Sequence, residues 1–282
     1  MLRDRLKSGL LMGLAMLAAV FWLPQAAVPI VLFPLCALAM GEFYSLLDAR
    51  KIPSFRLIGT LGGMALLAAT WYGHGTHWPL VAEADSLVLY LTMAAVFFQQ
   101  LRYRDSTQPW ETMAGSLLGV LYVPFLFNYL AKIILLGPTE GRLLVLYLIL
   151  VVKFTDIGAY FVGCSIGRHK FCPRISPAKT WEGVIGGVLT GTLVSLAFQH
   201  VCHGALGSFQ FTRADALIMG VILAIAGVIG DLIESVFKRA SGVKDSAGYI
   251  RGMGGLLDVL DSLLFTAPLL YILVHFLMER TA

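Results

Sequence analysis

Long apolar stretches follow one another along almost the whole of this 282-residue chain, with only short polar joints between them. A helix that crosses a bilayer needs about 20 mainly apolar residues, and many stretches approach this length. They centre on residues 9–23, 28–47, 57–73, 86–101, 114–136, 143–163, 183–201, 214–233 and 255–278. The pattern predicts an all-α polytopic membrane protein with about nine transmembrane helices.

The composition supports this prediction, because 58% of the residues are hydrophobic and only 13% are charged. An average soluble domain carries roughly a quarter charged residues, so a water-soluble fold is excluded. The joints leave no room for a sizeable soluble domain. We therefore expect a single membrane domain over residues 1–282, in which residues 1–140 form an N-terminal helical scaffold and residues 141–282 carry the polar chemistry.

The first 23 residues have a basic start and an apolar core, as a secretory signal peptide has. The uncharged run nevertheless continues from Ser8 to Gly41, interrupted only around Pro24, Gln25 and Pro29. Two helices joined by a tight turn fit this pattern better than a cleaved leader, so residues 9–23 are expected to be a retained span.

Lysine and arginine alternate between the joints in the way that membrane topology requires. Cations favour short cytoplasmic loops, and they concentrate at the N-terminus and in every second joint after it. The opposite face holds only Arg142, Arg213 and Arg280. The distribution predicts a cytoplasmic N-terminus and an external C-terminus.

The joint between the sixth and seventh stretches, GRHKFCPRISPAKTWEG, is dense in cations. Ser176 could cap a helix whose first position is Pro177, which predicts a helix start at SPAKTWEG. The free N–H groups and positive dipole of such a start, together with Lys179, would also attract phosphate groups. The pattern is compatible with a plain topology signal and with a polyanion site that includes Ser176, Lys179 and Thr180.

Four acids flank the joint between the last two stretches. Asp231 and Glu234 lie three residues apart at the end of one stretch, and Asp258 and Asp261 lie three apart at the start of the next. Each pair would project from one helix face, and a hairpin connection would bring the pairs together. Hard cations such as Mg²⁺ prefer oxygen ligands of this kind. The alternative is that the acids merely pair with nearby lysines and arginines.

Lys153 and Asp156 lie three apart within an apolar stretch, where ionisable residues are costly and usually functional. They are expected to share a helix face and to form an ion pair. Asp156 could instead serve as a metal ligand.

The run SVFKRASGVKDSAGYIRGMGGLLDVLDSLL closely resembles the C-terminal signature of the CDP-diacylglycerol synthases, or phosphatidate cytidylyltransferases. GDLIES leads into this run as the family pattern does, and TDIGAYFVG with SPAKTWEGVIGG resembles a second family block. The detailed resemblance covers roughly residues 150–265.

The resemblance implies transfer of a cytidylyl group from CTP to phosphatidic acid, giving CDP-diacylglycerol and pyrophosphate, with Mg²⁺ as cofactor. The residues expected to be catalytic are Asp231, Asp258, Asp261, Lys238 and Arg239. Those expected to bind substrate are Ser176, Lys179, Thr180, Ser235, Lys244, Asp245, Gly254, Gly255 and Arg251. Those expected to bind metal are Asp231, Asp258, Asp261, Glu234 and Asp156.

The expected setting is the cytoplasmic face of a bacterial inner membrane. The partners would be CTP, phosphatidic acid and membrane lipids, with no nucleic acid, and both a homodimer and a second, monovalent cation are left open.

Three residues depart from the family pattern. Arg251 and Met253 stand where the family usually has proline and histidine before the paired glycines, and Val259 replaces an arginine between the two aspartates. Methionine cannot donate a proton, so a role of that histidine cannot be carried over. Arg251 would place a cation nearby.

Two other functions are considered. A CTP-dependent lipid kinase would also bind CTP at a membrane surface but would transfer the γ-phosphate. A transporter is suggested by Lys153, Asp156 and His275 within apolar stretches. It is the weaker alternative, because the polar residues gather near one surface and no inverted repeat is evident.

Overall fold

The computed structural model of the chain describes residues 21, 23–74, 84–103, 107–206, 209–243 and 255–281. The helices are α1 (Pro29–Ala49), α2 (Arg56–Gly73), α3 (Ala84–Arg102), α4 (Pro109–Val120), α5 (Leu126–Leu135), α6 (Glu140–Ile166), α7 (Trp181–Val201), α8 (Arg213–Ala240) and α9 (Leu257–Thr281). A 3₁₀ turn, Gln25–Ala27, precedes α1, and a π-helical turn, Leu121–Phe125, joins α4 to α5. Two short antiparallel hairpins pair β1 (Lys170–Cys172) with β2 (Ser176–Thr180), and β3 (Ala205–Leu206) with β4 (Phe209–Gln210).

The predicted helical membrane architecture is confirmed in its coarse form. Seven helical segments within the described residues are long and apolar enough to cross a bilayer: Gln25–Ala49, Ala84–Arg102, Pro109–Leu135, Glu140–Ile166, Trp181–Val201, Arg213–Ala240 and Leu257–Arg280. Helix α2 falls on the third predicted stretch but is not among them. The first stretch, 9–23, lies almost entirely outside the described residues. The number nine and the cytoplasmic N-terminus therefore stay predictions.

The chain divides into two compact units. The first comprises the described residues of Met1–Leu135 and Phe237–Val259, and the second comprises those of Leu136–Val236 and Leu260–Ala282. The first unit thus contains α1 to α5 with the end of α8 and the first residues of α9. The second contains α6, both hairpins, α7 and the remainder of α8 and α9.

Aromatic side chains form the centre of the first unit. The ring of Phe237 lies 5.6 Å from that of Phe43 and 4.9 Å from that of Tyr122, both in edge-on geometry. Such edge-to-face pairs are favourable beyond the area that they bury. Tyr44 is fully buried beside them and donates a hydrogen bond to the Ser116 carbonyl oxygen at 3.1 Å. The end of α8 is thereby fixed against α1 and the π turn.

Pro124 explains the π turn between α4 and α5. Proline has no backbone N–H and cannot complete the regular helical ladder, and a single wider turn accommodates the interruption. Pro124 is buried, and its ring lies where a side chain on Gly63 of α2 would have to go. The irregular backbone therefore packs against protein.

A row of glycines on α7 determines how the second unit packs. Gly183, Gly187 and Gly191 recur every fourth residue, so they share one face of the helix. A Cβ atom on Gly187 would lie 2.8 Å from the Thr155 carbonyl oxygen, and one on Gly183 would lie 2.9 Å from the Ala159 carbonyl oxygen. The backbones of α6 and α7 are therefore in direct contact, as small residues permit between membrane helices.

We predict that Gly187→Ala destabilises the protein by about 1–3 kcal/mol, because the added methyl group meets the α6 backbone and the helices must separate. The matched control is Gly41→Ala on α1, where an added Cβ would meet nothing within 4 Å. Thermal unfolding in detergent measures both variants. Equal unfolding temperatures would contradict the proposed close contact.

Candidate active site

Three carboxylates meet in the second unit. Asp231 and Glu234 lie one turn apart on α8 and Asp261 lies on α9, and one oxygen from each is within 4.8 Å of the others. Glu234 is 0% and Asp261 5% exposed, whereas Asp231 is half-buried. The predicted convergence of acids from the last two apolar stretches is therefore observed for these three.

Gly230 allows this convergence. A Cβ atom at Gly230 would lie 2.8 Å from the Asp261 carbonyl oxygen and 3.1 Å from the Ser262 Cα atom. The backbones of α8 and α9 consequently approach at this point more closely than any larger residue would allow. The glycine directly before Asp231 thus brings the two helices, and with them the carboxylates, together.

Lysines lie next to these acids. The Lys179 Nζ atom, carried on β2, is 2.7 Å from Asp231 Oδ2 and also donates to the Val228 carbonyl oxygen at 3.4 Å. On α6, Lys153 and Asp156 form the predicted pair, with their charged atoms 3.9 Å apart. Lys179 thus contacts an acid of the cluster.

The residues of this cluster fit a divalent cation of the Mg²⁺ type. Three carboxylate groups offer only hard oxygen ligands, which such ions prefer. Like charges held this close in a low-dielectric site repel one another unless positive charge offsets them. Lys179 supplies part of that charge, and a bound cation would supply the rest.

The helix start predicted at SPAKTWEG is wrong. Ser176 lies in β2, which pairs with β1 through Cys172↔Ser176 and Lys170↔Thr180, and α7 begins only at Trp181. Pairing with β1 keeps the SPAKT segment extended, so Thr180 caps the helix in place of Ser176. The Thr180 hydroxyl accepts the Gly183 N–H at 3.1 Å and is buried. That N–H is therefore already occupied.

The hairpin is held to α7 by contacts beyond its own ladder. His169 Nδ1 lies 2.6 Å from Glu182 Oε1. The rings of Phe171 and Trp181 meet edge-on with their centroids 4.5 Å apart. These contacts fix β2, and with it Lys179, relative to the start of α7.

A second polar group lies in the first unit. Lys238, near the end of α8, places its Nζ atom 2.6 Å from Asp258 Oδ1, and the side chains are only 14% and 10% exposed. The Gly255 N–H donates to the other oxygen, Asp258 Oδ2, at 2.6 Å. Lys238 and Gly255, both predicted from the sequence, thus each contact the predicted Asp258.

For the remaining predicted residues of this region, the structure gives only their position on α8 or does not describe them. Ser235 is half-buried on α8, and Arg239 is exposed in its last turn. Lys244, Asp245, Arg251 and Gly254 lie outside the described residues.

Comparison with known proteins gives consistent results. The profile of the cytidylyltransferase family matches residues 3–277. The chain belongs to this family. A phosphatidate cytidylyltransferase of Staphylococcus aureus strain COL is 34% identical over 241 residues, which cover 84% of this chain and 86% of that protein. One from Haemophilus influenzae is 44% identical over 132 residues, covering 46% and 45% of the two chains. The resemblance seen in the sequence is confirmed.

Two residues of this cytidylyltransferase, Gly230 and Glu42, were not predicted from the sequence. Gly230 could have been found in GDLIES, where a glycine precedes the first acid. Glu42 on α1 is 5% exposed and accepts hydrogen bonds from the Leu256 and Leu257 N–H groups. The signal for Glu42 was its position as an acid within an apolar helix, because such residues usually have a specific role.

We predict that Thr180→Val lowers the stability of the cytidylyltransferase by about 1 kcal/mol, because the Gly183 N–H loses its acceptor. Thr180→Ser retains the hydroxyl and should remain close to wild type. The unfolding temperatures of both variants in detergent test this prediction. Wild-type stability of the valine variant would mean that the hydroxyl does not cap α7.

Proposed function

We propose that this protein transfers the cytidylyl group of CTP to phosphatidic acid, giving CDP-diacylglycerol and pyrophosphate, with Mg²⁺ as its cofactor. The observation that carries the proposal is the buried group formed by Asp231, Glu234 and Asp261 with Lys179 beside it. It lies in a chain that belongs to the cytidylyltransferase family and whose relatives are named for this reaction.

The chemistry explains why such a site is needed. A phosphate oxygen of phosphatidic acid attacks the α-phosphorus of CTP, a new P–O bond forms, and the bond to the β-phosphate breaks with its electron pair leaving on pyrophosphate. Several negative charges meet, and phosphoryl-type transfers depend on positioning and on positive charge. No separate base is required, because a phosphate monoester is already anionic near neutral pH.

In the proposed metal site, Asp231, Glu234 and Asp261 would hold Mg²⁺. Bound Mg²⁺ supplies positive charge that offsets the phosphate oxygens. Asp156 and Asp258 remain proposed ligands from the sequence. Each has a lysine partner in the structure, Lys153 and Lys238, so either carboxylate would be shared between its lysine and a cation. A second, monovalent cation remains a prediction.

The remaining proposed roles concern phosphate binding. Lys179, Ser176 and Thr180 are assigned to CTP phosphates. Because the Thr180 hydroxyl already caps α7, its part is to hold the segment that carries Lys179. Lys238, Arg239 and Lys244 are assigned to the lipid phosphate or the leaving pyrophosphate, with Ser235, Asp245, Arg251, Gly254 and Gly255 as neighbouring binding residues.

The proposed setting is the cytoplasmic face of a bacterial inner membrane. The cation-rich joints support this orientation, and the apolar helices support an integral membrane protein. A homodimer remains a prediction, and no nucleic-acid partner is proposed.

The first experiment uses the full chain in liposomes that contain phosphatidic acid, with Mg²⁺ and CTP labelled on the α-phosphate. We expect Mg²⁺-dependent label in a lipid that runs as CDP-diacylglycerol, with no transfer after chelation.

Asp231→Asn and Asp258→Asn should each lower the rate more than about 100-fold, because a neutral amide replaces a charged group that the site needs. Asp48→Asn is the control, since Asp48 is half-exposed and forms an exposed ion pair with Arg56.

The outcomes separate the proposals. If γ-labelled CTP transfers its label to lipid and α-labelled CTP does not, the reaction is that of a kinase and not cytidylyl transfer. Near-normal activity of Asp231→Asn would contradict the metal site while leaving the reaction itself intact.

A further inference from the structure

Helix α9 begins without a cap from its own sequence. The first N–H groups of any helix have no partner within the helix, and a Ser, Thr, Asp or Asn side chain just before it usually accepts one of them. Here the helix starts at Leu257, and Gly255 and Leu256 precede it. Neither residue has a side chain that can accept a hydrogen bond. The missing acceptors must come from elsewhere.

Glu42 supplies them from α1, more than two hundred residues earlier in the sequence. One carboxylate oxygen accepts the Leu256 N–H and the other accepts the Leu257 N–H, both at 2.8 Å. The side chain is 5% exposed, and burying a charge in an apolar setting is costly unless it is compensated. Two charge-assisted hydrogen bonds and the positive end of the α9 dipole provide that compensation.

The helix start held in this way carries Asp258. This residue occupies the first turn, directly after the two peptide units that Glu42 binds. Its carboxylate accepts from the Gly255 N–H on one oxygen and contacts Lys238 through the other. The Val259 N–H closes the first turn on the Leu256 carbonyl oxygen at 3.0 Å. The direction of the Asp258 side chain therefore depends on the peptide units fixed by Glu42.

We propose that Glu42 is a positioning residue for cytidylyl transfer, acting through the start of α9 on the Asp258–Lys238 pair. The inference rests on the proposed function, because it assumes that this pair takes part in the reaction. The N-terminal portion of the chain then contributes to catalysis through α1 as well as serving as scaffold.

The geometry requires both oxygens of a carboxylate. Glutamine at this position would offer one acceptor oxygen and would turn an N–H₂ donor toward the second peptide N–H. One buried backbone donor would then be unsatisfied, and the turn that carries Asp258 would shift or fray. Aspartate would keep the charge and both oxygens but is one methylene shorter, so it should reach the N–H groups imperfectly.

The test compares kcat and KM of wild type, Glu42→Gln, Glu42→Asp and the control Asp48→Asn. Asp48 lies on the same helix and undergoes the same acid-to-amide change at the surface. Rates are taken from the monodisperse folded fraction, with α-labelled CTP. We expect kcat of Glu42→Gln to fall roughly 10- to 100-fold and that of Glu42→Asp to lie between it and wild type. The KM values for CTP and phosphatidic acid should change less than about threefold, because Glu42 is not proposed to touch either substrate.

If Glu42 had only a structural role, Glu42→Gln would lower the yield or the unfolding temperature and leave kcat per folded molecule unchanged. That result would overturn the inference. If Glu42→Gln does not fold, the decision rests on Glu42→Asp, for which a wild-type kcat overturns it. Hydrogen exchange gives a readout independent of activity: the peptide covering Leu256 and Leu257 should exchange faster in Glu42→Gln than in wild type or Asp48→Asn. Unchanged exchange would also overturn it.

The wild-type arm separates this inference from the proposed function. Absence of α-label transfer by wild-type protein would be a failure of the proposed function. Normal wild-type transfer with an unaffected Glu42→Gln would be a failure of the role assigned to Glu42 alone.

Discussion

The low polarity of a bilayer is the constraint on which the rest of this structure depends. A charge or a backbone N–H within the apolar region is tolerated only when another group of the protein compensates it. Asp85 illustrates this in the first unit, where it forms an ion pair with Lys132 and accepts a hydrogen bond from Thr70 at 2.7 Å. In the second unit Arg280 binds Asp215 at 2.8 Å. These two pairs each join separate helices.

The same constraint decides what the sequence reveals. Long apolar runs can form little other than helices, so eight of the predicted stretches fall on helical segments of the structure. Acids three residues apart on a helix necessarily share a face, so the pairing of Asp231 with Glu234 was predictable. Their convergence with Asp261 followed from the short connection between the last two stretches. These predictions use only local spacing and the requirement to bury polar groups together.

The hairpin before α7 shows where local spacing fails. The segment SPAKT has a capping serine followed by proline, which favours a helix start, and yet it forms a strand because β1 pairs with it. Thr180 then takes the capping role four residues later. Glu42 and Gly230 were missed for a related reason. Local features of the sequence mark both positions, but their roles come from contacts with Leu256, Leu257 and Asp261, which lie far away in the sequence, and a single sequence does not reveal these partners.

The glycine face of α7 has a consequence for how a lipid substrate can move. Where Gly187 rests against the Thr155 carbonyl oxygen, the backbones of α6 and α7 touch. No gap remains between them at this level for an acyl chain to slide through. The seam between α6 and α7 is thus closed to lateral entry from the bilayer at this level, and the diacyl substrate of the proposed reaction would have to approach the proposed carboxylate site of α8 and α9 by a different route.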